Sequence, residues 1–127
     1  MVVVVRILTG ALILAHGLVH LLYLAPDVPQ FSCDRSWLVG ETRRGPLGLT
    51  LMAGTVAAFM IVAFAVWGVP GLSEAWPALT LVAGLLSAAL MITFWNPQLV
   101  FGLALDAGLI VIAVSRPDWA QHLLTAR

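Results

Sequence analysis

Three side chains have the types and spacing to do chemistry in an apolar setting: His16, His20 and Asp106. Imidazoles four residues apart share one face of a helix, and metal sites often use that spacing. Asp106 is the only charged residue between Pro97 and Ser115. An ionisable group inside an apolar span is rare, faces the protein interior and needs a partner. A His16–Asp106 pair would suit three kinds of work. It could hold a proton, bind a polar head group such as a quinone carbonyl, or fix an imidazole tautomer for ligating a haem or chlorophyll-type pigment. The plainer alternative is an interhelical hydrogen bond that fixes helix register. No metal is expected, because Cys33 and His122 are misplaced as further ligands and no Glu follows His16. The expected cofactor-binding set is therefore His16, His20 and Asp106, with the group itself unassigned.

These residues need helices to position them. At about 100° per residue, Arg6, Thr9, Ile13, His16, His20 and Tyr23 fall within an arc of about 100° on the first apolar segment. Every strongly polar side chain of that segment lies in this arc, so the arc faces protein. His16 is nine residues before Ala25 and Asp106 is nine after Pro97. At a rise of about 1.5 Å per residue, both sit about 13–14 Å from the same end. Thr55 is nine residues after Pro46 and Ser87 eight before Trp95. A polar layer of His16, Thr55, Ser87 and Asp106 is expected, with Gly102 leaving room for a neighbouring ring or a ligand.

Composition sets the solvent. Of 127 residues, 61% are hydrophobic and 9% charged, against about 45–50% and about 25% in soluble domains. A soluble chain this short lacks the volume to bury so much apolar surface. Six arginines balance six acidic residues, and there is no lysine. Neither a basic patch for nucleic acid nor an acidic tail is present. One cysteine, Cys33, excludes an internal disulfide. Phosphate-binding glycine loops, Gly-x-Ser-x-Gly elbows and Cys-x-x-Cys pairs are missing as well, so a soluble-type enzyme is not expected. All-arginine usage rich in Ala, Gly and Val suits a high-GC bacterial genome, hence a bacterial cytoplasmic membrane.

Four segments reach the roughly 20 apolar residues that cross a bilayer. The first, 2–25, ends at Pro26; its apolar run exceeds the h-region of a signal peptide, and a retained span is expected. The second, 46–67, opens with Pro46 at the first helical position and closes at Gly68-Val69-Pro70-Gly71. The third, 74–95, takes Ser73 as N-cap and Glu74 in its first turn. The fourth, 97–115, takes Asn96 as N-cap and Pro97 at the first position, with Arg116-Pro117 as the stop. Short connections favour antiparallel neighbours. The expected fold is all-α: one domain, an antiparallel four-helix transmembrane bundle. Small residues such as Ala57, Gly84 and Gly108 serve close helix packing.

An ordered loop of about 20 residues, 26–45, should cap the bundle mouth or meet a partner. Tyr23, Trp37 and Trp95 should mark one membrane rim, and Trp67, Trp76 and Trp119 the other. Arg6 and Arg116 read as interface anchors. Orientation is undecided, with Arg6, Arg116 and Arg127 on one side and Arg35, Arg43 and Arg44 on the other.

Span one carries a resemblance. Arg6, Gly10, His16-Gly17 and the polar residue at position 20 resemble the first span of the DoxX-like four-helix membrane proteins. The stretch Phe101-Gly102 and Leu105-Asp106-Ala107-Gly108 is compatible with it, as are length and layout. The resemblance implies association with membrane redox enzymes, such as a quinone-reducing thiosulfate oxidase. The leading expectation is a non-catalytic accessory subunit of a redox or energy-converting membrane complex, in contact with lipid and with other subunits or its own copies. The alternatives are a cofactor- or quinone-binding protein and a small proton-coupled transporter.

Overall fold

The computed structural model describes residues 1–25 and 27–125; Pro26 as the stop of span one, and Arg127 in the charge count, lie outside the described residues. The described chain is all-helical, with no strand. Helix α1 spans Val2–Val19 and tightens into a 3₁₀ segment, His20–Leu24. Helix α2 spans Glu41–Val66, and α3 spans Trp76–Thr93. A 3₁₀ turn, Pro97–Leu99, leads into α4, Val100–Ser115, and α5 spans Asp118–Thr125. With their 3₁₀ extensions, α1 to α4 are long and apolar enough to cross a membrane.

Two starts differ from the sequence reading. Helix α2 begins five residues before Pro46, which therefore lies inside the helix. The first turn forms because the Gly40 carbonyl accepts from Arg43 N and Arg44 N at 3.1 and 3.2 Å, and because Glu41 complements the helix N-terminus. Polar first turns escape a search for apolar periodicity. Helix α3 begins at Trp76 with Ala75 as its cap, so Ser73 is not the N-cap and Glu74 precedes the first turn. The Ser73 hydroxyl instead donates to the carbonyls of Ala65 (2.8 Å) and Val69 (3.2 Å), closing the end of α2. Asn96 acts as its type suggests, and Arg116 ends its helix in a backbone that its type disfavours. The Asn96 side chain accepts from Gln98 N at 3.0 Å, and Arg116 takes the left-handed conformation, φ 47°, that ends α4. Helix α5 was not anticipated; eight residues are too few for a clear period, and Ala120 and Leu124 bury its inner edge.

The closest helix faces are α1 on α2, α2 on α3 and α3 on α4. In the apolar stretches of α2 and α3, 39% and 44% of residues are buried, against 11% and 17% for α1 and α4, which flank them. Gly17 lets α1 approach α2 closely: a Cβ there would lie 2.5 Å from Phe59 Cβ. Gly68, at φ 94°, adopts a backbone that side chains disfavour, with the Arg6 guanidinium against it. One apolar cluster gathers Phe59, Val62, Val66, Trp76 and Leu124. Tyr23, Met52, Leu90 and Phe94 form another. Trp76 and Tyr23 are thus core residues, while Trp37, Trp67, Trp95 and Trp119 keep exposed surface. The accessible area is 7525 Å², against about 6,500 Å² for a soluble monomer of this mass. Exposed bulky apolar side chains lie on all four long helices, α1 carrying the most.

The loop before α2 is tied to the end of α3. Ser36 Oγ donates to the Thr93 carbonyl and Trp37 Nε1 to the Ile92 carbonyl, each at 2.7 Å. Ser36 Oγ also accepts from the amides of Leu38 and Val39, and the Arg44 guanidinium donates to the Asp34 carbonyl. The Ser36 and Trp37 donors satisfy helix-end carbonyls that otherwise lack partners. Cys33 packs against Gly48 of α2. Burial, then the neighbouring Asp34 carboxylate, pushes its thiol above the ordinary range.

Gly17→Ala should lower the thermal unfolding midpoint by an amount equivalent to about 1–3 kcal/mol of overpacking. Gly40→Ala, with open space at its Cβ position, should leave the midpoint unchanged in the same assay. Cys33 should react slowly with a maleimide near neutral pH, where little thiolate is present, and speed up as pH rises past the ordinary thiol range. Asp34→Asn should shift that rise toward lower pH.

Candidate functional site

The centre of the fold is a continuous chain of polar contacts across three helices. It starts at Asp106 on α4, which is fully buried. His16 Nε2 on α1 donates to Asp106 Oδ1 at 2.8 Å. The other oxygen, Oδ2, lies 2.5 Å from Ser87 Oγ on α3. Ser87 Oγ in turn lies 2.8 Å from His20 Nε2. The second ring nitrogen, His20 Nδ1, donates to the carbonyls of His16 (3.1 Å) and Gly17 (3.2 Å). Carbonyl oxygens only accept, so the proton on Nδ1 is fixed by its surroundings.

Each helix positions its member for a stated reason. His16 on α1 and His20, the first residue of its 3₁₀ extension, stand one turn apart, their rings edge to face with centroids 5.5 Å apart. Phe59 of α2 supplies an apolar wall. It meets His16 edge-on at 5.0 Å and lies nearly parallel to His20 at 6.1 Å. Gly17 permits this approach, because any side chain there would strike Phe59. On α3, Ser87 follows Ala83 by one turn and precedes Leu90, so the hydroxyl emerges between the two apolar clusters.

Four of the residues singled out from sequence therefore meet: His16, His20, Ser87 and Asp106. Thr55 does not join them. It is fully buried, but its hydroxyl donates to the Leu51 carbonyl of its own helix at 2.7 Å. Threonine in an apolar helix has that local acceptor always at hand. Gly102 leaves no room for a ring or a ligand, because Met91 fills the space, its Sδ 3.1 Å from where a Cβ would stand. Among the described residues, no three His, Cys, Asp or Glu side chains converge as a metal site requires.

The interface anchors part company. Arg6 Nε donates to the Val66 carbonyl at 3.0 Å, clamping α1 to the end of α2. Arg116 is exposed, and its carbonyl accepts from Gln121 Nε2 at 3.0 Å. Beside Arg6 a cleft of about 460 Å³ opens between Trp67, Ser73, Glu74 and Thr125. It lies at the far end of α1 from His20 and includes none of the four networked residues. Sequence spacing alone would not find this cleft, because it depends on the Gly68–Gly71 turn and on α5. One buried polar atom among the described residues, Tyr23 Oη, has no hydrogen-bond partner.

No family model, no curated protein and no solved structure matches the chain. The chemistry of the network therefore rests on its geometry. His16 Nε2, His20 Nε2, Ser87 Oγ and both Asp106 oxygens are engaged with one another, while His16 keeps some exposed surface.

Ser87→Ala should leave Asp106 Oδ2 and His20 Nε2 buried without partners. A loss of about 1–3 kcal/mol is expected, read as a lowered unfolding midpoint in detergent. Thr55→Val removes only an intrahelical bond and should cost within about 1 kcal/mol.

Proposed function

We propose that this chain is a small integral membrane protein whose four long helices cross the bilayer as an antiparallel bundle, and that it serves as a non-catalytic subunit of a larger membrane complex. The observation that carries the subunit reading is the closed polar site. His16, His20, Ser87 and Asp106 take one another as partners, and Met91 fills the space beside Gly102. A site built to receive a haem, a pigment or a quinone keeps a cavity and a polar group aimed into it; here the polar groups are spent on holding helices together.

The membrane reading has its own support. Four helices have the required length and apolarity. Bulky apolar residues such as Leu8, Leu12, Phe101 and Val111 are exposed on the flanking helices, as lipid-facing or subunit-facing residues would be. The antiparallel arrangement is supported by the α1–α2 contacts. Arg6 meets Val66 and Gly17 meets Phe59, so the two helices run in opposite senses. The redox character of the complex, and a bacterial cytoplasmic membrane as its site, rest on the resemblance of span one to the DoxX-like proteins and on the arginine-only composition.

Alkaline carbonate washing should leave the native chain in the membrane pellet. After extraction in a mild detergent it should migrate with other membrane subunits and carry no visible absorption band. A stable, partner-free monomer overturns the subunit reading. A bound pigment or an extractable quinone transfers the assignment to a cofactor site.

A further inference from the structure

The four polar contacts at the centre can be counted in protons. Each hydrogen bond needs one. His20 Nδ1 uses its proton on the carbonyls of His16 and Gly17. His16 Nε2 uses one on Asp106 Oδ1. Two contacts remain: His20 Nε2 to Ser87 Oγ at 2.8 Å, and Ser87 Oγ to Asp106 Oδ2 at 2.5 Å. The Ser87 hydroxyl has a single proton. With Asp106 ionised and both imidazoles neutral, one of these contacts would press two lone pairs together. It would also leave a net negative charge in an apolar interior, which is costly. Protonating His16 would cancel the charge but leave the clash, because its extra proton sits on Nδ1, away from Ser87.

We propose that His16, His20, Ser87 and Asp106 form a proton-binding site that holds one exchangeable proton, and that this proton latches α1 to α3 and α4. With the proton bound, every contact is satisfied and the cluster has no net charge. Two forms share that count. In one, Asp106 is a neutral acid: Oδ2–H donates to Ser87 Oγ, and Ser87 Oγ–H donates to His20 Nε2. In the other, the Asp106 Oδ2–H bond breaks as a Ser87 Oγ–H bond forms, and the original Ser87 Oγ–H bond breaks as a His20 Nε2–H bond forms. Two protons move, no atom is gained or lost, and carboxylate faces imidazolium across the hydroxyl.

The surroundings leave this site electrostatically alone. Helix α3 has no titratable side chain, and Asp106 is the only one on α4. Helix α2 presents Phe59, its charged residues Glu41, Arg43 and Arg44 lying in its first turn. On α1 and its 3₁₀ extension the remaining groups are Arg6, bound at the Val66 carbonyl, and Tyr23, one turn beyond His20 among Phe31 and Phe94. His16 is the one member with exposed surface, 16% of its side chain against none for Asp106. Exchange with the outside therefore runs through His16. The proton count does not depend on the subunit reading above and survives its failure.

The test uses the full chain in detergent or nanodiscs. Labelling with ¹³C-aspartate and ¹⁵N-histidine reports the state of Asp106, since Asp27, Asp34 and Asp118 are all exposed. Near neutral pH the expected result is either a protonated Asp106 with a neutral His20, or an ionised Asp106 with an imidazolium at His20. An ionised Asp106 beside two neutral imidazoles, or beside an imidazolium at His16, overturns the proposal. Stability gives a second readout. Above about pH 6.5 an unfolded Asp and an unfolded His have both lost their protons. There the native chain binds one proton more than the unfolded one, and stability falls as pH rises. Asp106→Asn carries the missing hydrogen permanently. Its amide N–H donates to Ser87 and its carbonyl accepts from His16, so its melting midpoint should stay close to wild type and be flat with pH. Asp106→Ala should melt well below both. A wild-type profile as flat as that of Asp106→Asn, or an Asn variant as unstable as the Ala variant, sinks the idea. If the variants fail to fold, the labelled wild-type spectra decide alone.

Discussion

A carboxyl group with no contact to solvent is the constraint that the rest of this structure answers. Asp106 cannot stand in an apolar interior without a hydrogen-bond partner on each oxygen. His16 supplies one donor from α1, and Ser87 takes up the second oxygen from α3. That requirement dictates where three helices stand relative to one another. The apolar clusters on either side of the layer have no such directional demand, since hydrophobic contact is tolerant of sliding. Register comes from the polar centre, and density from the apolar ends.

The peripheral contacts follow the same logic on a smaller scale. Helix-end carbonyls collect donors wherever the chain can deliver one. Arg6 reaches the Val66 carbonyl, Ser73 the Ala65 carbonyl, and Ser36 and Trp37 the last turn of α3. Such donors take the place of the water that would otherwise cap a helix end. The loop before α2 is therefore a fixed part of the architecture, held by the carbonyls it satisfies.

Much of this was legible in the sequence, and the reason is the simplicity of the signals. Long apolar runs mark helices without ambiguity. The one-sided stripe that carries His16 and His20 follows from helical periodicity, and the depth match of His16 to Ser87 and Asp106 from the helical rise. The misreadings share one cause: a side chain with two local options. Ser73 can cap the helix ahead or the one behind, and takes the one behind. Thr55 can reach across the bundle or back to its own carbonyl, and reaches back. Gly102 can face a ligand or a neighbouring side chain, and faces Met91. Spacing gives position along a helix but not which of two nearby partners wins. Helix α5 and the first turn of α2 were missed because polar, short segments carry little periodic signal.

The bond between His16 and Asp106 joins residues 90 positions apart, and that between His20 and Ser87 joins residues 67 apart. Synthesis runs from the N-terminus, so α1 emerges with its two imidazoles before either partner exists. Once α2 is made the imidazoles have Phe59 beside them, and Ser87 arrives well before Asp106. The bundle is thus closed by its last long helix. A truncation before Asp106 leaves His16 without its partner, and one before Ser87 leaves His20 without its own as well.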